Sequence, residues 1–122
     1  MMNPFLQVAL GGAAGSVARY GVNRAAAAAL GPGFPVATLA VNVVGSFAMG
    51  LLVAALALRD NAYAPLLMTG LLGGFTTFSA FSLDAVTLWE RGQQGVAAAY
   101  VTASVALSLA AMALGLTLGR AA

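Results

Sequence analysis

The sequence contains no cysteine and no histidine, and none of its basic residues is a lysine. It therefore lacks a disulfide framework and the side chains that bind zinc or haem or perform thiol chemistry. Charge is scarce too, since charged residues make up 7% of the 122 residues, against about 25% in a soluble domain. Eight charges cannot cover a water-exposed surface, so a water-soluble globular protein is excluded.

Apolar residues dominate what is present. They make up 61% of the chain, and the mean hydropathy is +0.96. Disorder is excluded because low hydrophobicity is its signature. The composition predicts a single integral-membrane domain over residues 1–122, placed in the cell (inner) membrane among lipid. We expect neither catalytic residues nor a nucleic-acid partner, so the protein is not predicted to be an enzyme.

The charged residues mark the ends of the membrane spans. They leave uncharged stretches at 1–18, 25–58, 61–83 and 92–119. One span needs about 20 apolar residues, so no stretch holds two helices. The first stretch lacks a positive n-region and exceeds signal-peptide length, so we expect a span rather than a cleaved leader. The prediction is an all-α membrane protein with four transmembrane helices, at about 4–27, 35–58, 62–89 and 95–118.

The loop arginines give no orientation bias. With four spans, Arg59 and Arg120 lie on one side of the membrane, and Arg24 and Arg91 lie on the other. Because basic residues in short loops set orientation, an even split predicts insertion both ways. Two copies of opposite orientation would then pair as a dual-topology antiparallel homodimer. The alternative is that a small bias or a host factor fixes one orientation.

The third span is a poor continuous helix. It contains Gly70, Gly73 and Gly74, followed by the adjacent β-branched residues Thr76 and Thr77. We expect the third helix to be broken near its centre, at 73–77. Carbonyls freed there are tolerated only if protein buries them, which implies a partner subunit. Such carbonyls from two chains could cage a small cation. The alternative is a kinked packing helix.

Polar stripes follow two other helices at i, i+4 and i+8. They consist of Thr38, Asn42 and Ser46, and of Tyr100, Ser104 and Ser108. Hydroxyls can instead bond back to carbonyls of their own helix, and a buried amide can simply join helices. If the stripes face each other, they form a narrow path whose donors are all neutral. Cation pathways usually carry carboxylates, so a small anion is favoured.

Aromatic and basic residues add to this pattern. Phe75, Phe78 and Phe81 share one helix face, and the positive edges of their rings attract an anion weakly. Spacing alone equally fits lipid-facing or core packing. Arg19 lies within the first helix, either snorkelling to the interface or forming a positive mouth for anions.

Taken together, the motifs resemble the Fluc (CrcB) fluoride channel family over essentially the whole chain. The matching residues are Gly11 to Gly15 with Arg19 and Tyr20, then Thr38, Leu39, Asn42, Gly45, Ser46 and Phe47, and above all Gly73 to Ser82. The resemblance implies a fluoride-selective channel for passive fluoride export and detoxification. It also implies an antiparallel dimer with two pores and a structural Na⁺ at its centre.

The resemblance also implies roles for individual residues. The backbone carbonyls of Gly73 and Thr76 would hold the Na⁺, and Arg19 would serve an anion vestibule. Phe75 would be a packing residue. The fluoride pore would be lined by Asn42, Phe78, Phe81, Tyr100, Ser104 and Ser108, with Thr38. The sequence departs from the family at Ala80, where threonine is frequent, and at Asp84, where glutamate is common.

Two other functions fit the size of the chain. A small dual-topology, proton-coupled exporter of the multidrug type also has four helices, but it uses a carboxylate in helix 1. The ionisable residues of helix 1 here are Arg19 and Arg24. The second is a structural subunit without a pore, which would leave the polar stripes and the broken helix without a role.

Overall fold

The computed structural model describes residues 2–56 and 61–121, and these residues form no strand. The chain is therefore all-α, as predicted. Its elements are α1 (Pro4–Leu30), α2 (Val36–Leu56), a π-helix (Pro65–Leu72), α3 (Gly73–Phe75), α4 (Phe78–Glu90) and α5 (Gln94–Ala121). The predicted end of the second helix at 57–58, and Arg59 and Asp60 in the turn after it, lie outside the described residues.

Three segments within the described ranges are long and apolar enough to cross a membrane. They are Val36–Leu56, Pro65–Glu90 and Gln94–Ala121. Helix α1 has 27 residues, which corresponds to about 40 Å, but it is not among the segments that meet both criteria. It ends at Leu30, beyond the predicted residue 27, because Gly31 takes φ 70° and caps it. Glycine adopts that conformation without a Cβ penalty.

The third segment consists of several pieces rather than one helix. After the π-helix and the single turn of α3, the chain is extended at Thr76 (φ −87°, ψ 160°) and Thr77 (φ −154°, ψ 123°). We call these two residues the interruption. Gly73 and Gly74 are helical although the sequence placed them in the break. Their role is close packing: a Cβ on Gly74 would lie 2.6 Å from the carbonyl oxygen of Gly12.

Glycines bring the helices together in two pairs. Helix α1 lies against the π-helix and α3, and helix α2 lies against α5. At Gly11 and Gly15 an added Cβ would collide with the carbonyl oxygens of Leu66 and Leu71. At Gly50 it would lie 2.5 Å from the carbonyl oxygen of Met112. These glycines therefore serve packing within one chain, because the lack of a side chain lets backbones approach closely.

These contacts predict different effects for two glycine substitutions in α1. Gly15→Ala places a Cβ against Leu71 and 2.8 Å from the amide nitrogen of Phe75, so we expect about 1–3 kcal/mol of lost stability. Gly21→Ala is the matched control, because nothing lies within 4 Å of its added Cβ. To measure the stability of both variants, the protein is heated in detergent, and the temperature at which half of its folded chromatography peak is lost is recorded. Equal midpoints for the two variants would contradict this packing.

Candidate functional site

The side chain of Asn42, on α2, pairs with both backbone groups of Thr77. Its Nδ2 donates to the Thr77 carbonyl oxygen at 2.9 Å, and the Thr77 amide donates to its Oδ1 at 2.7 Å. An extended residue within a helical segment loses its helical partners, and lipid offers no replacement. Asn42 supplies both partners and ties α2 to the interruption.

A second amide at the interruption, that of Ala80, is also bound by a side chain. In a continuous helix, Thr77 N would bond the Gly73 carbonyl and Ala80 N would bond the Thr76 carbonyl. Instead, Thr77 N donates to Asn42, and Ala80 N donates to Thr77 Oγ1 at 3.1 Å. Among the described residues, no side chain and no amide of a turn or loop replaces these lost bonds to the Gly73 and Thr76 carbonyl oxygens. Two carbonyl oxygens, the hard donors that suit an alkali cation, are thereby freed three residues apart in the chain.

Arg19 lies against the same region. Its Nε donates to the Gly74 carbonyl oxygen at 3.1 Å, across 55 residues of chain, and the side chain is half-buried. Arg19 was predicted to serve an anion vestibule. The structure brings it to α3, where it provides a charge-assisted hydrogen bond to a carbonyl just before the interruption.

A cavity of about 390 Å³ lies between α2, the interruption, α4 and α5, and we call it the first cavity. It is lined by five of the predicted pore residues, Asn42, Phe78, Phe81, Ser104 and Ser108. The hydroxyls of Ser104 and Ser108 are buried and have no hydrogen-bond partner among the described residues. A buried hydroxyl without a partner is costly, so these two groups are available to a polar ligand.

The other two predicted pore residues lie elsewhere. Thr38 lines a second cavity of about 300 Å³, together with Phe34, Asp84 and Arg91. Tyr100 is fully buried and donates from its hydroxyl to Asp84 Oδ2 at 3.1 Å. Its ring centroid is 5.4 Å from that of Phe81 in the first cavity and 5.4 Å from that of Phe34 in the second. Tyr100 therefore lies between the residues of the two cavities.

Two residues with specific side-chain contacts, Gln7 and Phe34, were missed by sequence reasoning. Gln7 is 1% exposed, and its side chain joins the Met2 carbonyl, at 3.0 Å, to the Leu66 amide, at 3.2 Å. It is a single amide side chain within an apolar stretch of sequence, and that pattern could have predicted a buried polar contact. Phe34 lies in a turn of glycines and prolines, where no periodicity points to a partner. Phe75, expected to be a packing residue, is half-buried and has its ring near Gly45.

Comparison with known sequences decides the family. The family described as "CrcB-like protein, Camphor Resistance (CrcB)" matches residues 6–116. The chain belongs to the CrcB family. The resemblance seen in its motifs is confirmed, and with its long apolar helices the chain is a multi-pass membrane protein.

Relatives of this CrcB protein are similar over nearly their full lengths. A protein of Cereibacter sphaeroides is 65% identical over 116 residues, which cover 95% of this chain and 94% of the relative. One of Paracoccus denitrificans is 63% identical over 121 residues, covering 98% and 97%. One of Agrobacterium fabrum is 57% identical over 116 residues, covering 93% of each. All three are named "Fluoride-specific ion channel FluC".

Asn42→Ala should destabilise the fold. It leaves the Thr77 amide and carbonyl without their partners, at about 1–3 kcal/mol for each buried group. Asn23→Ala removes the same amide from an exposed position of α1 and is the matched control. The thermal midpoint in detergent measures both variants. An Asn42→Ala midpoint equal to that of Asn23→Ala would show that the interruption does not depend on this side chain.

Proposed function

We propose that this protein is a fluoride-selective channel that exports fluoride passively across the cell (inner) membrane. The observation that carries the proposal is the pair of buried, unpartnered hydroxyls, Ser104 and Ser108, beside Phe78 and Phe81 in one cavity. The names of the relatives support fluoride as the ion.

The chemistry of the first cavity suits a small anion. Fluoride is strongly hydrated, so the protein must replace its water with other donors. The two serine hydroxyls and the second N–H of the Asn42 amide supply such donors, and the ring edges of Phe78 and Phe81 carry partial positive charge. Among the described residues, no charged side chain lines this cavity. Several neutral sites bind the ion strongly enough to admit it and weakly enough to release it.

Conduction needs no energy source. Moving one elementary charge through 100 mV is worth about 2.3 kcal/mol, and a negative cell interior drives an anion outward. Passive flow therefore suits a detoxifying channel. The proton-coupled exporter is not favoured, because α1 contains no carboxylate to carry a proton. No residue of the first cavity points to an enzymatic reaction, so we propose a channel and not an enzyme.

We further propose that the channel is a dual-topology antiparallel homodimer with four spans per chain and two pores. Helix α1 supplies the fourth span, since 27 residues exceed the thickness of the bilayer core. The third span is broken at Thr76 and Thr77, near the middle of Pro65–Glu90. Phe78 is 78% exposed although it lines the first cavity, so a second copy would close that side.

The dimer centre would hold a structural Na⁺. The freed carbonyls of Gly73 and Thr76 suit it, because hard cations prefer oxygen donors. Two carbonyls from each chain would give four oxygens around the ion. When bound, Na⁺ would join the two interruptions and add positive potential beside the anion path. Arg19 already occupies the intervening Gly74 carbonyl, so the cation would not use it.

Fluoride efflux from liposomes that contain only this protein tests the function. We expect the wild type to release fluoride and retain chloride. Phe81→Ile should abolish release, because it removes a ring edge from the first cavity. Phe5→Ile is the matched control, since Phe5 is 87% exposed. Retention of fluoride by the wild type would overturn the channel, and wild-type release by Phe81→Ile would overturn the pore assignment.

Topology is tested with two tagged forms of the protein, one carrying the tag at the N-terminus and the other at the C-terminus. If the chain inserts both ways, a membrane-impermeant protease should remove about half of each tag from sealed cells, because the loop arginines give no bias. A protein of known single orientation provides the control. Complete removal or complete protection of one tag would rule out the antiparallel dimer.

A further inference from the structure

The turn between α1 and α2 holds the ring of Phe34 in a fixed place. Gly31 and Gly33 take φ values of 70° and 142°, which other residues rarely adopt. The Val36 amide donates to the Phe34 carbonyl oxygen at 2.8 Å, which ties the turn to the start of α2. Phe34 is therefore attached to a defined turn, although it is 42% exposed.

The ring of Phe34 meets Tyr100 edge to face. The two centroids are 5.4 Å apart and the ring planes stand at 88°. On its other side Tyr100 meets Phe81, with centroids 5.4 Å apart and an angle of 43°. The Tyr100 hydroxyl is held by Asp84. Phe34 and Asp84, which both line the second cavity, therefore contact Tyr100 together with Phe81 of the first cavity, and Phe34 provides the ring contact from the second.

Tyr100 occupies the place where the two cavities approach each other. Phe81 and Ser104 belong to the first cavity, whereas Phe34 and Asp84 belong to the second. Tyr100 contacts Phe81, Phe34 and Asp84 and has no exposed surface. Tyr100 itself lines neither cavity, but a path joining the two would run beside it, because its neighbours Phe81 and Phe34 line them. The position of its ring then matters, because the hydroxyl donates its hydrogen bond to Asp84 and the positive ring edge is the group left to attract an anion.

We propose that Phe34 is a positioning residue for conduction, which holds Tyr100 at the junction of the two cavities. The inference rests on the proposed channel function. Without the edge of the Phe34 ring, Tyr100 keeps its hydrogen bond to Asp84 but has free space toward the second cavity, so its ring is held less firmly. Each ion then spends longer at the junction, so the rate of fluoride flow falls.

The test compares Phe34→Leu, which removes the ring, with Phe34→Tyr, which keeps it. Proteoliposomes are prepared so dilute in protein that an active vesicle holds one channel. The release rate in active vesicles is then read separately from the fraction of fluoride released. Phe34→Leu should lower that rate about three- to tenfold, the range expected for one aromatic pair, with an unchanged released fraction. Phe34→Tyr should keep the wild-type rate.

Phe5→Leu is the matched control, because the same change falls on an exposed ring outside both cavities. A wild-type rate for Phe34→Leu would overturn the inference and leave the channel intact. A lower released fraction at an unchanged rate for Phe34→Leu would also overturn the inference, because that result indicates misfolding alone. Equal slowing by Phe34→Leu and Phe34→Tyr would show that the ring contact is not the cause. No release from the wild type would overturn the channel and this inference together.

Discussion

The hydrogen bonds between Asn42 and Thr77 are the constraint on which the rest of the structure depends. A backbone amide or carbonyl facing lipid without a partner costs several kcal/mol, so a chain can leave the helix inside a membrane only where protein supplies partners. Asn42 supplies two of them to one residue. The interruption can therefore exist at the middle of a long apolar segment, with a carboxamide from α2 in place of the missing helical bonds.

The features around the interruption follow from that exchange. Because Thr77 N and Ala80 N turn to side chains, the carbonyls of Gly73 and Thr76 are freed. Because glycines let α1 lie directly against the π-helix and α3, Arg19 reaches the carbonyl of Gly74. The extended residues also direct the chain away from α3, and α4 starts beside α5 with Phe78 and Phe81 facing the first cavity. One local rearrangement of partners thus creates both the candidate cation ligands and one wall of the proposed anion path.

The sequence predicts the broad structure because apolar stretches and charge positions are enough to specify long helices. The all-α class and the family follow from it and are confirmed. The partners of individual polar groups do not follow. A stripe at i, i+4 and i+8 predicts that Asn42 faces protein, but it cannot distinguish a backbone partner from an ion. Periodicity likewise says nothing of Arg19, whose partner lies 55 residues away, or of Phe34, which lies in a turn. Glycine content suggested extended backbone at Gly73 and Gly74, whereas these two residues are helical and serve close packing.

Among the described residues, no charged side chain lines the first cavity, where we propose that the ion binds. Coulomb attraction is much stronger in a dry interior than in water, so a guanidinium lining the first cavity would bind an anion too tightly to release it. Arg19 is half-buried, but its Nε donates a hydrogen bond to the Gly74 carbonyl oxygen, and its side chain does not line that cavity. Asp84, which would repel an anion, belongs to the second cavity and accepts a hydrogen bond from Tyr100. The first cavity is left with neutral donors, whose attraction is short in range and modest in depth. Scarcity of charge, which first indicates a membrane protein, would by this argument also let an anion move along the proposed path without being trapped.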